Sequence, residues 1–226
     1  MPPTEIGAEA ADALLGAVEA RAAEIGSASA TLKTSVASVD DVAAGCLRAR
    51  GYEQVRHSFQ MRIELDGQLE PPSWPEGIVV RAFEPGRDDE AVYEVQQETF
   101  ADQFEYARQS YGEWRAHAFL GRHDPSLWLL AEDGAEIAGI SLCRPQWAGN
   151  PELGWVSVLG VRRPWRGRGL GLALLRHSFA ELQARGKRSV GLGVDALNPT
   201  GAVRLYERAG MRVVRRSDQL LKSLGA

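Results

Sequence analysis

Cysteine and histidine, the residue types that most often signal disulfide or metal chemistry, are scarce in this chain. Of its 226 residues, two are cysteine and four are histidine. Cys46 and Cys143 lie far apart and form no CxxC pair, so the sequence predicts neither a disulfide framework nor a zinc site. We expect reduced thiols, no bound metal and a cytoplasmic protein.

Excess positive charge and long apolar runs are also missing. The formal net charge is −4, so the charge balance does not favour binding to nucleic acid. No apolar run approaches the ~18 residues that a transmembrane helix needs. The first residues include Glu5 and Glu9 and lack the basic start of a signal peptide. The sequence therefore predicts partners that are neither nucleic acids nor membranes.

A glycine-rich turn between an apolar strand and a helix is the most distinctive stretch of the sequence. The apolar run 155–161 predicts a buried strand, and Pro164 interrupts regular structure after it. The turn 166–171 follows, and apolar residues then recur at helical spacing over residues 172–184. Free backbone N–H groups and the helix dipole favour an anion at such a junction, and glycines let a phosphate reach the backbone.

The turn by itself does not specify one ligand. It lacks the Gly-Lys-Ser/Thr ending of a Walker loop. It also lacks a G-x-G-x-x-G fingerprint, since its glycines are Gly167, Gly169 and Gly171 and residue 172 is leucine. A turn that only packs the helix close to the strand remains one alternative at this point, and an NAD-binding module is another.

The pattern Arg166-x-x-Gly169-x-Gly171 resembles the pyrophosphate loop of the GNAT superfamily of N-acyltransferases, which bind acetyl-CoA. Over residues 78–226, the predicted order β-α-α-β-β-β-α-β-α-β also resembles the order of that family. The resemblance implies an α/β protein of GNAT fold, with a central mixed, mostly antiparallel sheet flanked by helices. It further implies that the strand before the turn splays from its neighbour and offers its backbone to the pantetheine arm and the thioester.

Two downstream residues strengthen the resemblance. Asn198 and Tyr206 stand in the segment that, in the family, closes over the pantetheine arm. The resemblance implies that Asn198 hydrogen-bonds the cosubstrate and that Tyr206 protonates the leaving thiolate as general acid. Without the family, Asn198 could cap a helix and Tyr206 could be a core aromatic residue. The residues expected to bind acetyl-CoA are Leu159, Gly160, Val161, Arg166, Gly167, Arg168, Gly169, Leu170, Gly171, Asn198 and Tyr206.

The attacking amine must also lose a proton, which calls for a general base. Glu152, at the start of the strand before the turn, is the nearest carboxylate in the sequence. The alternative interpretation of Glu152 is a solvated strand end. We predict Tyr206 and Glu152 as the catalytic residues.

Acceptor specificity is expected from two helical segments over residues 88–119. Part of this region, 98–114, looks like the Phe-Ala-Asp…Trp acceptor segment of mycothiol-synthase-like tandem GNAT proteins, in which the C-terminal unit is the active one. Acids that could bind a cationic amine, or be ordinary surface residues, are Asp102, Glu105 and Glu113. Aromatic residues that could line the acceptor cleft, or belong to the core, are Trp147 and Trp155.

The N-terminal part resembles a partial copy of the C-terminal motif. Residues 47–60 parallel residues 206–219, with Leu47 in the place of Tyr206. The copy predicts helix (10–25), strand, helix and strand up to residue 66, without a phosphate turn. Such a copy could extend the catalytic sheet or pair with a second chain in a homodimer. We predict a structural, degenerate GNAT-like segment over 1–70, a linker over 71–77 and a catalytic domain over 78–226.

The predicted function is transfer of an acetyl group from acetyl-CoA directly to a primary amine of a small molecule or of a protein N-terminus. The alternative is an acyl-CoA-binding sensor or scaffold of the same fold without turnover. The intact turn and Tyr206 favour the enzyme, whereas the poorly defined base favours the sensor.

Overall fold

The computed structural model of the chain describes residues 5–25, 30–104, 106–120 and 124–224. The chain divides into two compact units. Unit 1 comprises Met1–Phe59, Asp195–Leu197 and Val214–Ala226, and unit 2 comprises Gln60–Val194 and Asn198–Val213. None of the described helices is long and apolar enough to cross a membrane.

Eight β-strands in the described ranges form one mixed sheet. Their bounds are β1 (Ala30–Ala37), β2 (Glu53–Glu64), β3 (Ile78–Ala82), β4 (Trp128–Asp133), β5 (Glu136–Arg144), β6 (Leu153–Val161), β7 (Ser189–Asp195) and β8 (Arg212–Leu224). The strand order is β1-β8-β2-β7-β6-β5-β4-β3. The pairs β1–β8, β3–β4, β4–β5 and β5–β6 are antiparallel, and β6–β7 is parallel. The sheet thus has the mixed, mostly antiparallel character expected for the predicted fold class.

Six α-helices within the described residues flank this sheet. Their bounds are α1 (Glu5–Ile25), α2 (Asp41–Ala49), α3 (Asp89–Phe100), α4 (Tyr111–Ala118), α5 (Leu170–Ala184) and α6 (Ala202–Arg208). Two 3₁₀ turns precede β4 and α5, at Pro125–Leu127 and Arg163–Trp165. Helix α5 begins two residues before the predicted start, so the end of the glycine-rich turn is already helical.

Unit 2 buries apolar side chains on both faces of β4, β5 and β6. On one face, Leu130 and Ile140 form a cluster with residues of α3 and α4, including Trp114. On the other face, Leu129 and Ala138 form a cluster with residues of α5. Because successive strand residues point to opposite faces, this alternation fixes which side of β6 each helix covers.

Unit 1 has a smaller core of its own. Leu47 of α2 and Tyr52 are buried against Leu220 of β8. The unit contains α1, β1, α2, the first half of β2 and most of β8. Strands β2 and β8 each contribute residues to both units. The division into compact units therefore does not coincide with the predicted boundaries at residues 70 and 78.

Candidate active site at a fork between two strands

The parallel strands β6 and β7 separate partway along their length. Their register ends at the pair Trp155–Gly191, and the rest of β6, residues 156–161, pairs with no residue of β7. Every residue of both strands is described. The separation leaves a free backbone edge on β6 and opens a fork beside it. Residues Leu159, Gly160 and Val161, predicted to contact acetyl-CoA, lie on this free edge.

A bulge and a close helix contact shape β6 along the fork. Val156 and Val158 pair with consecutive residues of β5, so Ser157 between them is an extra, bulged residue. Further along, a Cβ added to Gly160 would lie 2.5 Å from Oγ1 of Thr99 in α3. Gly160 is therefore required by the close approach of α3, and the strand has no side chain there.

The turn after β6 contains two glycines in the left-handed conformation. The φ angles are 75° at Gly167 and 87° at Gly169, which favour glycine at both positions. A Cβ added at either position would find no other group within 4 Å, so the space around the turn is open. No side chain caps the start of α5 at Leu170. The N–H groups of the first helical turn are therefore directed toward an open, electropositive site.

Three arginines, Arg163, Arg166 and Arg168, add positive charge to the turn, and they differ in their hydrogen-bond and ion-pair partners. Arg166 donates from Nε to the carbonyl of Val161 at 2.9 Å, which ties the turn to the end of β6. Asp102, from the segment after α3, accepts from Arg163 at 2.5 Å and from Arg166 at 3.3 Å. These two guanidinium groups lower the pKa of Asp102, Arg163 having the larger effect. Arg168 is exposed and forms no ion pair with a described residue.

Helix α6, which carries Tyr206, packs on the start of α5. A Cβ added to Gly171 would lie 3.0 Å from Cδ1 of Leu205, so α6 packs directly on the first turn of α5. Tyr206 is buried, and no described residue forms a hydrogen bond with its phenol. Burial raises the pKa of Tyr206 to about 12. Its phenol therefore stays protonated at neutral pH and can donate a proton.

Asn198 lies in the segment between β7 and α6. Its Oδ1 accepts from the backbone N–H and the hydroxyl of Thr200, at 2.9 and 2.6 Å. The N-cap of α6 is Gly201, with a φ of 74°, so Asn198 is not the helix cap. The bonds to Thr200 fix the side-chain oxygen and leave the amide N–H₂ as a donor.

Glu152 lies at the opposite end of β6 from the turn. Its side chain is 57% exposed and pairs with Arg188, whose Nε is 3.2 Å away. Its carbonyl also accepts the N–H groups of Arg188 and Ser189, so it sits where β6 and β7 are still joined. The structure does not bring Glu152 into the fork beside the glycine turn.

The acids considered for amine binding are placed by other contacts. Asp102 is already paired with two arginines of the turn. Glu113 forms a capping box with Ser110 at the start of α4, and the bonds from Ser110 lower its pKa. Glu105 lies outside the described residues. Neither Asp102 nor Glu113 thus presents an unpaired carboxylate to an acceptor.

Both cysteines are free thiols. Cys143, in β5, is fully buried, and burial raises its pKa to about 11. A thiol with this pKa is not the thiolate that covalent catalysis needs at neutral pH.

Two features of the site had no clear signal in the sequence. The bulge at Ser157 depends on how β5 and β6 align, which apolar periodicity does not define. The bridge from Asp102 to Arg163 and Arg166 joins residues about sixty positions apart, and a single sequence gives no indication of such a pair.

Comparison with known proteins places this geometry in context. A model of the Acetyltransferase (GNAT) family matches residues 90–211. A "Mycothiol acetyltransferase" from Actinosynnema mirum is 36% identical over 207 residues, which are 91% of this chain and 66% of that protein. Another protein of that name, from Salinispora arenicola, is 39% identical over 71% of this chain and 53% of its own length.

A solved structure shows the same fold with substantial sequence identity. The crystal structure of a GCN5-related N-acetyltransferase from Sphaerobacter thermophilus has a TM-score of 0.76 and 39% identity, covering 88% of this chain and 61% of that one. The chain thus spans between about half and two thirds of the length of these relatives.

Proposed function

The chain belongs to the acetyltransferase (GNAT) family, and from this premise we propose that it transfers an acetyl group from acetyl-CoA directly to a primary amine. The acceptor is a small molecule or a protein N-terminus. The observation that carries the proposal is the fork between β6 and β7, which continues into the open glycine turn, with α6, the helix of Tyr206, packed on the first turn of α5. The relatives named mycothiol acetyltransferase support a small-molecule acceptor.

Each part of acetyl-CoA has a group that suits it. The pyrophosphate would accept hydrogen bonds from the backbone N–H groups of residues 167–171, with Arg166 and Arg168 supplying positive charge. The free edge of β6 at 159–161 would pair with the amides of the pantetheine arm. The amide N–H₂ of Asn198 would donate to the same arm.

The transfer needs one proton removed and one supplied. The amine nitrogen attacks the thioester carbonyl carbon, the C–N bond forms, and the C–S bond breaks with the electron pair on sulfur. Tyr206 gives its phenolic proton to the departing thiolate and regains one from the proton released by the amine. A buried phenol whose pKa is about 12 is fully protonated at neutral pH before the step, as a general acid must be.

The proton released by the amine also needs an acceptor. Glu152 remains the base predicted from the sequence, but its ion pair with Arg188 and its place at the far end of β6 do not favour that role. Water in the fork could instead carry the proton to solvent.

The N-terminal segment is proposed to be a structural, degenerate GNAT-like copy. Its elements α1-β1-α2-β2 repeat the order α5-β7-α6-β8. The match to the A. mirum protein covers too much of this chain to lie within residues 78–226 alone. The catalytic role of 78–226, the cytoplasmic location and a homodimer remain predictions.

The proposal is tested by following thiol release from acetyl-CoA with a panel of primary amines. We expect Tyr206→Phe to lower kcat by ~10²–10³-fold, because it removes the general acid, and to change the Kd for CoA by less than ~3-fold. Tyr52→Phe, which alters an equally buried tyrosine of unit 1, is the matched control and should keep kcat. Tight CoA binding without turnover of any amine would instead support a sensor.

A further inference from the structure

Two tryptophans form a stacked pair at the point where the fork opens. The rings of Trp147 and Trp155 are 4.2 Å apart and nearly parallel, at 9°. Trp155 is the last residue of β6 that pairs with β7. Trp155 is buried, whereas Trp147 remains 38% exposed. An indole with an accessible surface therefore lies at the mouth of the fork.

The turn that carries Trp147 is strained. The N–H of Asn150 donates to the carbonyl of Trp147 at 2.9 Å and closes a tight turn. Ala148 in this turn has a φ of 50°, and it is the one non-glycine residue with positive φ in the described ranges. Such a conformation is energetically unfavourable for a residue with a side chain and is found at binding sites more often than elsewhere. It is independent support for a functional position of Trp147.

Glycines on β7 make room for this pair. A Cβ added to Gly191 would lie 2.7 Å from the ring of Trp155, so the ring lies directly on the strand backbone. At Gly193, two residues further along the same face, the ring edge would be 3.9 Å from an added Cβ. Gly193 is exposed. The strand thus has, at Gly193, an open strip beside Trp155 that carries no side chain.

Arg62 of β2 borders the same strip. The N–H of Leu65 donates to the carbonyl of Arg188 at 2.7 Å. Counting along antiparallel strands from this bond places Arg62 directly opposite Gly191, on the face where Trp155 lies. Nε of Arg62 has almost no accessible surface and no hydrogen-bond partner among the described residues, whereas the Arg62 side chain as a whole is 35% exposed.

The nearest carboxylate to Arg62, that of Glu64, does not accept a hydrogen bond from it. Glu64, on the same strand, lies 3.8 Å from Nε of Arg62 and 3.9 Å from Arg212, too far for a hydrogen bond to either. One carboxylate thus stands between two guanidinium groups. The accessible N–H groups of the Arg62 guanidinium can donate to an oxygen of a ligand, whereas a second cation would be repelled.

We infer that Trp147, Trp155, Gly193 and Arg62 form the acceptor face of the site. This face takes an amine whose skeleton combines an apolar ring surface with hydrogen-bond-accepting oxygens. The ring lies on Trp147 and the open strip, and the oxygens, either hydroxyl or carboxylate, accept from Arg62. A chain of several amines, such as a polyamine, fits it poorly. The inference rests on the proposed function, since the fork must hold the thioester for an acceptor to meet it.

Two matched pairs of amines test this chemistry without knowledge of the natural acceptor. D-glucosamine carries hydroxyl groups and a ring oxygen that cyclohexylamine lacks. L-phenylalanine carries a carboxylate that phenethylamine lacks. Binding to the CoA-bound protein is measured by ligand-observed NMR, and transfer is measured separately as thiol release. We expect at least one oxygen-bearing probe to bind ~10-fold or more tightly than its oxygen-free partner. The pair that shows the preference identifies hydroxyl or carboxylate as the recognised group.

Variants assign that preference to residues. Arg62→Met should remove the preference, and Arg62→Lys should restore only part of it, because lysine lacks the guanidinium fork. Trp147→Leu should weaken binding of all four ring amines by ~5–10-fold. Arg87→Met, which changes an exposed arginine between β3 and α3, is the control. The Kd for CoA should stay within ~2-fold in all four variants.

Results that overturn the inference differ from those that overturn the proposed function. If no oxygen-bearing probe is preferred, or if the preference survives in Arg62→Met, the acceptor face is wrong even when amines are acetylated. If CoA binds and the preference depends on Arg62 but no amine is turned over, the acceptor face stands and the transferase fails.

Discussion

The two compact units arrange their polar groups in opposite ways. In unit 1, Glu19 accepts from Arg50 at 2.9 and 3.2 Å and lies 3.0 Å from Nζ of Lys222, and Arg50 also pairs with Asp12. In unit 2, the donors at the glycine turn and the phenol of Tyr206 have no acceptor among the described residues. Closed ion pairs stabilise a fold, whereas unsatisfied donors in an open site are available to a ligand.

The comparison also holds between positions that the proposed N-terminal copy would make equivalent. Leu47, in the place of Tyr206, is buried in an apolar cluster and offers no proton. Val39, in the place of Asn198, is 91% exposed. The same succession of elements thus serves packing in one unit and, in the proposed function, cosubstrate binding in the other.

The largest expected effect is a loss of CoA affinity, and it should distinguish a left-handed glycine of unit 2 from one of unit 1. Gly169 and Gly51 have φ angles of 87° and 82°, and neither would bring an added Cβ near another group. We expect Gly169→Ala and Gly51→Ala to lower the free energy of unfolding by a similar ~1–2 kcal/mol, from backbone strain. Only Gly169→Ala should weaken CoA binding, by ~10–100-fold, because its methyl group obstructs the pyrophosphate.

Calorimetric titration with CoA and thermal unfolding measure these two effects separately. Equal loss of CoA affinity in both variants would show that strain alone weakens binding, and the turn would then lose its proposed role.

The next effect concerns stability only and should be confined to unit 1. Hydrogen bonds from Arg50, with a further contribution from Lys222, lower the pKa of Glu19 from 4.5 to about 2. Because the folded pKa is the lower one, this stabilisation is complete above about pH 4.5 and is lost as the pH falls toward 2. Glu19→Gln should therefore cost ~1–3 kcal/mol at pH 7 and progressively less at acid pH.

Denaturant unfolding at pH 7 and pH 3 measures the difference, and CoA binding at pH 7 should remain within ~2-fold of wild type. A cost that does not shrink at pH 3 would mean that Glu19 acts by packing and not by charge.

Local patterns made most of the fold predictable. Apolar spacing and glycine positions predicted β6, the turn and α5 to within about two residues. Helix α1 begins at Glu5, earlier than the predicted residue 10, because alanine and glutamate favour helix on both sides of that position.

The site was less predictable, because its geometry depends on alignment between distant strands. The family pattern selected Gly167, Gly169 and Tyr206, whose proposed roles depend on the type of residue at each position. The place of Arg62 opposite Gly191 follows from strand register, which an isolated sequence does not define. Proximity in sequence to the turn's own strand suggested Glu152, but a strand of nine residues is about 30 Å long, so its two ends are far apart.

The smallest expected effect is therefore that of Glu152. Its carboxylate is exposed and neutralised by Arg188, at the end of β6 where no fork exists. We expect Glu152→Gln to change kcat by less than ~3-fold, because an exposed ion pair contributes little. The pH profile of kcat should keep its shape, whereas loss of a true general base would change its acid limb. Arg188→Gln, which breaks the same ion pair from the other side, is the control. If Glu152→Gln alone lowers kcat by ~10²-fold and removes the acid limb, then Glu152 is the base after all, and the fork must extend further along β6 during turnover than the strand register indicates.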